Sequence, residues 1–175
     1  WLLNQILKMA IRRNILLISL IISLTCAKLI VYSPEKLKNL IDDSKNPDYL
    51  TDGYIETSVA NFGLIPYGHS IVGTLYFDTN NQYGCDKFSG LGNSEKQESP
   101  IIIVWRGKCS FTMKVREIEH AGGKLGIIVD EVDNESMDSI IMVDDGTGSG
   151  IRIPSIMINK KEGEIILDYF GKATA

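Results

Sequence analysis

The sequence predicts an α+β fold, a compact β-rich domain decorated by two helices. Three observations carry this. Ile101 to Trp105 is an unbroken β-branched and aromatic run, the mark of a strand buried on both faces. From Ser110 the apolar period changes: Phe111, Val115, Ile118 and Ala121 recur at helical steps, and the next apolar run, Leu125 to Val129, completes a strand, helix and strand within about 30 residues. The half of the chain before Ile101 reads as strand and loop.

In chain order, Lys28 to Tyr32 reads as a short strand. Ser33-Pro34-Glu35-Lys36 reads as a helix start with Ser33 as cap and Pro34 in the first position. Residues 42–53 carry Asp42, Asp43, Asn46, Pro47, Asp48 and Gly53, the composition of a loop. Tyr54 to Val59 alternates weakly, and Ile71 to Phe77 is a firmer strand. On the helix after Ser110, Lys114, Glu117 and His120 are expected on the flanks, and Gly122 and Gly123 end it. Ile153 to Ile158 is a further strand and Lys160 to Phe170 a closing helix.

The chain has 175 residues, 44% hydrophobic and 23% charged, which suits one ordinary domain with a short appendage. A net charge of -4 lacks the cationic field that phosphate backbones attract, so nucleic acid is excluded as the expected partner. Lys8, Arg12 and Arg13 precede Ile15 to Leu24, which contains only Ile, Leu and two serines, and Thr25-Cys26-Ala27 comes next. That is the form of a signal peptide over residues 1–27, cleaved after Ala27; the alternative is an uncleaved signal anchor. Because residue 1 is Trp, either Met9 is the start or the chain is a fragment. Removing the segment leaves 15 basic against 22 acidic residues, a mature domain of charge -7 over 28–175. It also leaves Cys85 and Cys109, expected to pair in an oxidising compartment; the alternative is two buried thiols.

Residues able to carry catalysis are scarce. Cysteine and histidine spacing matches no zinc motif, and no nucleophile elbow or phosphate-binding loop is present, so neither enzymatic activity nor a cofactor is expected. His120 at a helix end suits the helix dipole, and His69 lies in a turn, Tyr67-Gly68-His69-Ser70. Asp130, Glu131, Asp133, Glu135, Asp138, Asp144 and Asp145 could hold calcium in a flexible loop, but they fit no EF-hand and read better as a solvated acidic loop. Asn134-Glu135-Ser136 is a sequon, usable by a glycan if exposed. Gly146, Gly148 and Gly150 alternate with Thr147 and Ser149, either a flexible connection or a mobile lip beside a groove.

Ala60-Asn61-Phe62-Gly63, Pro66-Tyr67-Gly68, Gly73-Thr74, Gly84-Cys85-Asp86, Arg106-Gly107-Lys108-Cys109-Ser110-Phe111 and Ala121-Gly122-Gly123 occur in an order that resembles a protease-associated (PA) domain. The phrasing is most similar to the lumenal PA domain of plant-type vacuolar sorting receptors, and Ser33 to Lys38 and Ile153-Pro154-Ser155 extend the likeness over nearly all of 28–170. The resemblance implies a swivelling β/β/α domain, a barrel-like sheet flanked by two or three helices, without catalysis of its own, placed in the secretory or endomembrane lumen (Golgi, endosome, vacuole) or secreted. It further implies that Arg106, Gly107, Lys108 and Cys109 face peptide or propeptide segments of soluble lumenal proteins. An arginine there offers a planar donor fork to peptide carbonyls or a carboxylate; alternatively Arg106 braces the fold through a local ion pair. Two residues depart from the receptor pattern. Lys108 stands where an acidic residue is common, a change of two charge units, so the family's cargo preference is not carried over to this chain, and His69 stands for a glycine and would weaken binding in acid if it lay near cargo. The second function class is an accessory PA domain of a protease or of a membrane-bound RING-type ubiquitin ligase. The gene downstream of Ala175 discriminates the two, since the chain is either a truncated receptor or a soluble lumenal protein.

Overall fold

The computed structural model describes residues 28–44, 53–65, 68–88, 99–134 and 136–173. The expected signal segment 1–27, part of the 42–53 loop, and Pro66 and Tyr67 of the family motif lie outside the described residues. The elements are β1 (Lys28–Ile30), α1 (Glu35–Asp43), β2 (Tyr54–Glu56), β3 (Ser58–Val59), β4 (Thr74–Tyr76), β5 (Pro100–Trp105), α2 (Phe111–His120), β6 (Leu125–Val129), a 3₁₀ turn (Met137–Ser139), β7 (Ser155–Ile158) and α3 (Lys160–Ala173). β1 and β2 form an antiparallel ribbon. The main sheet has five strands in the order β3-β7-β6-β5-β4; β4 to β7 run parallel and β3 runs antiparallel on β7. This is the expected α+β class.

Strand alternation divides the core between the two faces of the sheet. Ile102, Val104 and Ile128 share one cluster with Val115 and Ile118 of α2, and with Met137, Met142 and Met157. Ile101, Ile103, Ile127 and Val129 share the other with Leu37 and Ile41 of α1 and Ile166 of α3. Both faces of β5 and β6 are therefore covered, which is why their sequences show no polar alternation. A parallel β5-α2-β6 unit results, and the end of β5 is where the chain must turn to begin α2.

Several expected boundaries shift for local reasons. Pro34, not Ser33, occupies the N-cap of α1: it keeps extended backbone (φ -77°, ψ 153°), the Ser33–Pro34 bond is cis, and the Leu37 and Lys38 amides donate to the Pro34 carbonyl. α1 runs to Asp43, whose neighbour Asp42 accepts from the Gly53 amide at 2.9 Å, so the loop begins later than expected. Tyr54 to Val59 divides at Thr57 between two different sheets. Only Thr74 to Tyr76 of the 71–77 run pairs, and β7 starts at Ser155, after Pro154, which has no N–H to give a ladder. α2 ends as expected: Gly122 takes φ 90° and the Gly123 amide closes onto the Ile118 carbonyl at 2.9 Å.

Cys85 and Cys109 are disulfide-bonded, with Cα atoms 5.9 Å apart. The bridge ties the loop after β4 to the turn between β5 and α2. With a sequence separation of 24, the chain-entropy model assigns it about 3.5 kcal/mol. A Cys85→Ser/Cys109→Ser double variant is therefore expected to lose unfolding free energy of that order in urea, with a larger m-value as the unfolded chain expands; an unchanged free energy would contradict the assignment.

Candidate functional site

The β5-to-α2 turn builds the site. Trp105 closes β5 by donating its amide to the Gln82 carbonyl at 2.8 Å, and the Arg106 amide reaches the Val129 carbonyl at 2.9 Å. The chain then enters the left-handed region twice in succession, at Gly107 (φ 98°) and Lys108 (φ 63°), before the Cys109 amide folds back onto the Gly107 carbonyl at 2.8 Å. The left-handed backbone favours glycine at position 107; a Cβ there would lie 2.4 Å from Glu131 Oε1, the free end of a side chain that can move aside. Lys108 has no such freedom and carries a backbone cost of about 1 kcal/mol; its ammonium, 3.9 Å from the centre of the Tyr83 ring, makes an offsetting cation–π contact. Ser110 caps α2 by accepting from the Met113 amide at 3.3 Å.

The turn forms one wall of an open cleft of about 450 Å³, lined by Arg106, Gly107, Lys108, Cys109, Ser110, Phe111, Val143 and Asp145. The four residues proposed from the sequence for ligand contact are consecutive in the chain, and all four line this cleft. Phe111 and Val143 add an apolar surface, Val143 being 59% exposed. His69 is exposed and is not among the lining residues.

Arg106 does brace the fold. Its Nη1 donates to Asp130 Oδ1 at 2.9 Å, and the guanidinium lies 5.5 Å from the Phe111 ring centre. Asp130 is 1% exposed, whereas 41% of the Arg106 side chain remains exposed. Asp130 also accepts from the Glu131 amide at 2.7 Å and from Asn134 Nδ2 at 3.1 Å. This corrects the picture of a wholly solvated acidic loop: Asp130 directly succeeds the buried strand β6 and is drawn inside, where an ionised carboxylate needs several donors. The Asn134 amide, the atom a glycan would modify, is turned onto Asp130 and Asn159.

The glycine-rich segment is wired rather than loose. Asp144 Oδ1 accepts from the Gly146 and Gly148 amides, both at 2.8 Å. Asp145 accepts from the Thr147 amide at 2.9 Å and from the hydroxyls of Thr147 at 2.6 Å and of the buried Thr112 at 2.8 Å, while Arg116 donates to the Thr147 carbonyl. The Thr147 hydroxyl, then those of Ser110 and Thr112, hold the Asp145 carboxyl well below the usual carboxylate range, so the cleft keeps an anion on this wall in acid. Among the described residues no group of His, Cys, Asp and Glu side chains could hold a metal ion.

Lys114, expected on a helix flank, is fully buried. Its Nζ donates to the Tyr83 carbonyl at 2.5 Å and the Gly107 carbonyl at 2.6 Å, and lies 3.7 Å from Cys85 Sγ. The spacing was informative, since 111, 114 and 118 lie along one helical stripe; the charge of the residue concealed its place. Burial pushes its pKa down from 10.5 to about 8, with Glu131 opposing the shift and Lys108 adding to it.

This geometry makes two outcomes testable. Gly107→Ala is expected to destabilise the domain by roughly 1–2 kcal/mol in chemical unfolding, through the left-handed backbone, and a neutral effect would argue against the turn. Lys114 is charged both folded and unfolded below pH 8, so the cost of burying the charge applies in full there. Between about pH 8 and 10.5 the unfolded chain binds the extra proton, so stability from this group rises with pH. Unfolding free energies of the wild type, referred to Lys114→Met, are expected to increase across that window; a flat or falling difference contradicts the burial of a cation.

A family model for the PA domain matches residues 71–166. Vacuolar-sorting receptor 1 of Pisum sativum is 28% identical over 143 residues, covering 79% of this chain and 21% of that protein. Receptor homology region, transmembrane domain- and RING domain-containing protein 2 of Arabidopsis thaliana is 32% identical over 112 residues, covering 64% of this chain and 24% of its own. Among solved structures, a zinc aminopeptidase from Bacillus subtilis aligns with 66% of this chain and 26% of its own at 20% identity and a TM-score of 0.47. The chain spans about a fifth of the length of the sorting receptors it matches. With the matched segment running from the approach to β4 through β5, the disulfide-bonded turn and α2 into α3, the chain belongs to the PA domain family.

Proposed function

We propose that this PA domain is a non-catalytic lumenal module that binds an extended peptide or propeptide segment of soluble lumenal proteins in the cleft beside Arg106, as cargo recognition in vacuolar or lysosomal sorting. The observation that carries this reading is the open cleft itself, where the consecutive Arg106, Gly107, Lys108 and Cys109 meet Val143 and Asp145 from a distant segment. Arg106 has five N–H donors; Asp130 takes one at Nη1 and orients the fork, and the exposed remainder suits peptide carbonyls or a carboxylate. Phe111 and Val143 offer an apolar rest for a side chain, and the Asp145 carboxylate adds an acceptor to the same lining. The named sorting-receptor relatives support the same role and a place in the secretory pathway, in Golgi, endosome or vacuole, or outside the cell. Among the described residues no helix is long and apolar enough to cross a membrane.

A second reading, an accessory PA domain attached to a RING-type ligase or a protease, is favoured by the RING-containing relative. The coding sequence beyond Ala175 separates the two: a cysteine-rich region and membrane helix favour the receptor, a RING finger the ligase. For the cleft, isothermal calorimetry with propeptide-derived peptides is expected to show Arg106→Ala binding about tenfold more weakly, the equivalent of one charge-assisted hydrogen bond. Equal affinity for wild type and variant would overturn the reading.

A further inference from the structure

Lys114 has no part in the ligand contacts just described, yet its burial is the most demanding of any cation among the described residues. A lysine is fully buried only when its donors are met, and here three N–H groups face three acceptors: the carbonyls of Tyr83 and Gly107, and Cys85 Sγ. Those acceptors belong to the two loops that the disulfide joins. The bridge fixes where Cys109 stands, but not how the peptide plane at Gly107 is turned. The ammonium fixes that plane by holding its oxygen.

The surrounding charges leave the ammonium to these dipoles. Glu131, packed against Gly107 from the segment after β6, attracts it, and Lys108 on the turn repels it. The Tyr83 ring from the loop after β4 lies 5.7 Å from Nζ, Asp130 is engaged by Arg106, and Glu117 stands one turn further along α2 with His120 3.9 Å from it. Among the described residues no carboxylate comes within ion-pair distance of Nζ. Its grip on the cleft therefore runs through backbone carbonyls.

We infer that Lys114 is the positioning residue of the cleft: through the Gly107 and Tyr83 carbonyls its buried ammonium holds the left-handed turn at Gly107 and Lys108, and so sets how Arg106 and Lys108 face a ligand. The inference rests on the peptide reading only for what the turn is positioned to meet. Loss of the proton leaves two N–H groups for three acceptors, so the contacts of the Gly107 and Tyr83 carbonyls change as Nζ titrates, while the lowered pKa means that rising pH does not favour opening the turn to water.

Backbone amide NMR of the disulfide-bonded chain, wild type and Lys114→Met, tests this directly. The Cys109 amide, which donates to the Gly107 carbonyl, is expected to exchange at least tenfold faster in the variant, with the β6 amides unchanged. In the wild type the Gly107, Lys108 and Cys109 signals are expected to titrate together with a midpoint near 8. Unchanged exchange at Cys109, or loop signals that show no inflection between pH 7 and 9, would overturn the inference; if the variant does not fold, the wild-type titration decides alone. Adding a propeptide peptide separates the two claims. A loosened turn with undiminished peptide affinity upholds the positioning role and removes the cleft as the binding site, whereas an unaltered turn removes the positioning role whatever the peptide does.

Discussion

The site depends on how the chain leaves a strand buried on both faces and begins a helix within a few residues. Between Trp105 and Phe111 the backbone makes two left-handed steps, one of them at a lysine. Such a turn persists only where its surroundings over-determine it. Here a disulfide, a buried ammonium and a half-exposed ion pair converge on the same few residues, each from a different part of the sequence. The cleft is the space this arrangement leaves open between the turn, the start of α2 and the segment at Val143 and Asp145.

Each restraint acts on a different atom. The disulfide anchors the Cys109 end, the Arg106–Asp130 pair aims a side chain at the other, and Lys114 holds the carbonyl between them. Because Asp130 is inside and Arg106 is half outside, the pair both braces the fold and leaves a cationic group at the surface. Partial exposure also limits what the pair contributes to stability, since solvent screens the exposed partner. The bracing and ligand-facing roles of this arginine, opposed alternatives when read from sequence, are compatible in the geometry. The anionic side is built in the same way: the Thr147 hydroxyl, with those of Ser110 and Thr112 at the α2 start, holds Asp145 ionised and in place.

Local period and local chemistry were legible in the sequence. β5, α2 and β6 could be placed within a residue or two because an unbroken apolar run, a helical stripe and a glycine stop each leave a mark within a short window. The cysteine pair was legible from its count and the leader-like segment, and the turn from its likeness to a family motif. Lys114 and Asp130 were not. Their burial is set by acceptors and donors contributed from distant segments, Tyr83 for the lysine and Arg106 and Asn134 for the aspartate, and by rule a charged residue is first assigned to water. The short strands β3 and β4 were blurred for a related reason: their ends are decided by which neighbouring strand offers partners, not by their own composition.

The most direct measurement of the central claim is where a peptide lands. Titrating propeptide-derived peptides into the isotopically labelled domain and tracking backbone amides is expected to displace Arg106, Ser110, Phe111, Val143 and Asp145 together, saturating with one affinity. Displacements confined to the β1–β2 ribbon or spread along α3, with the Arg106 turn unmoved, would contradict the account.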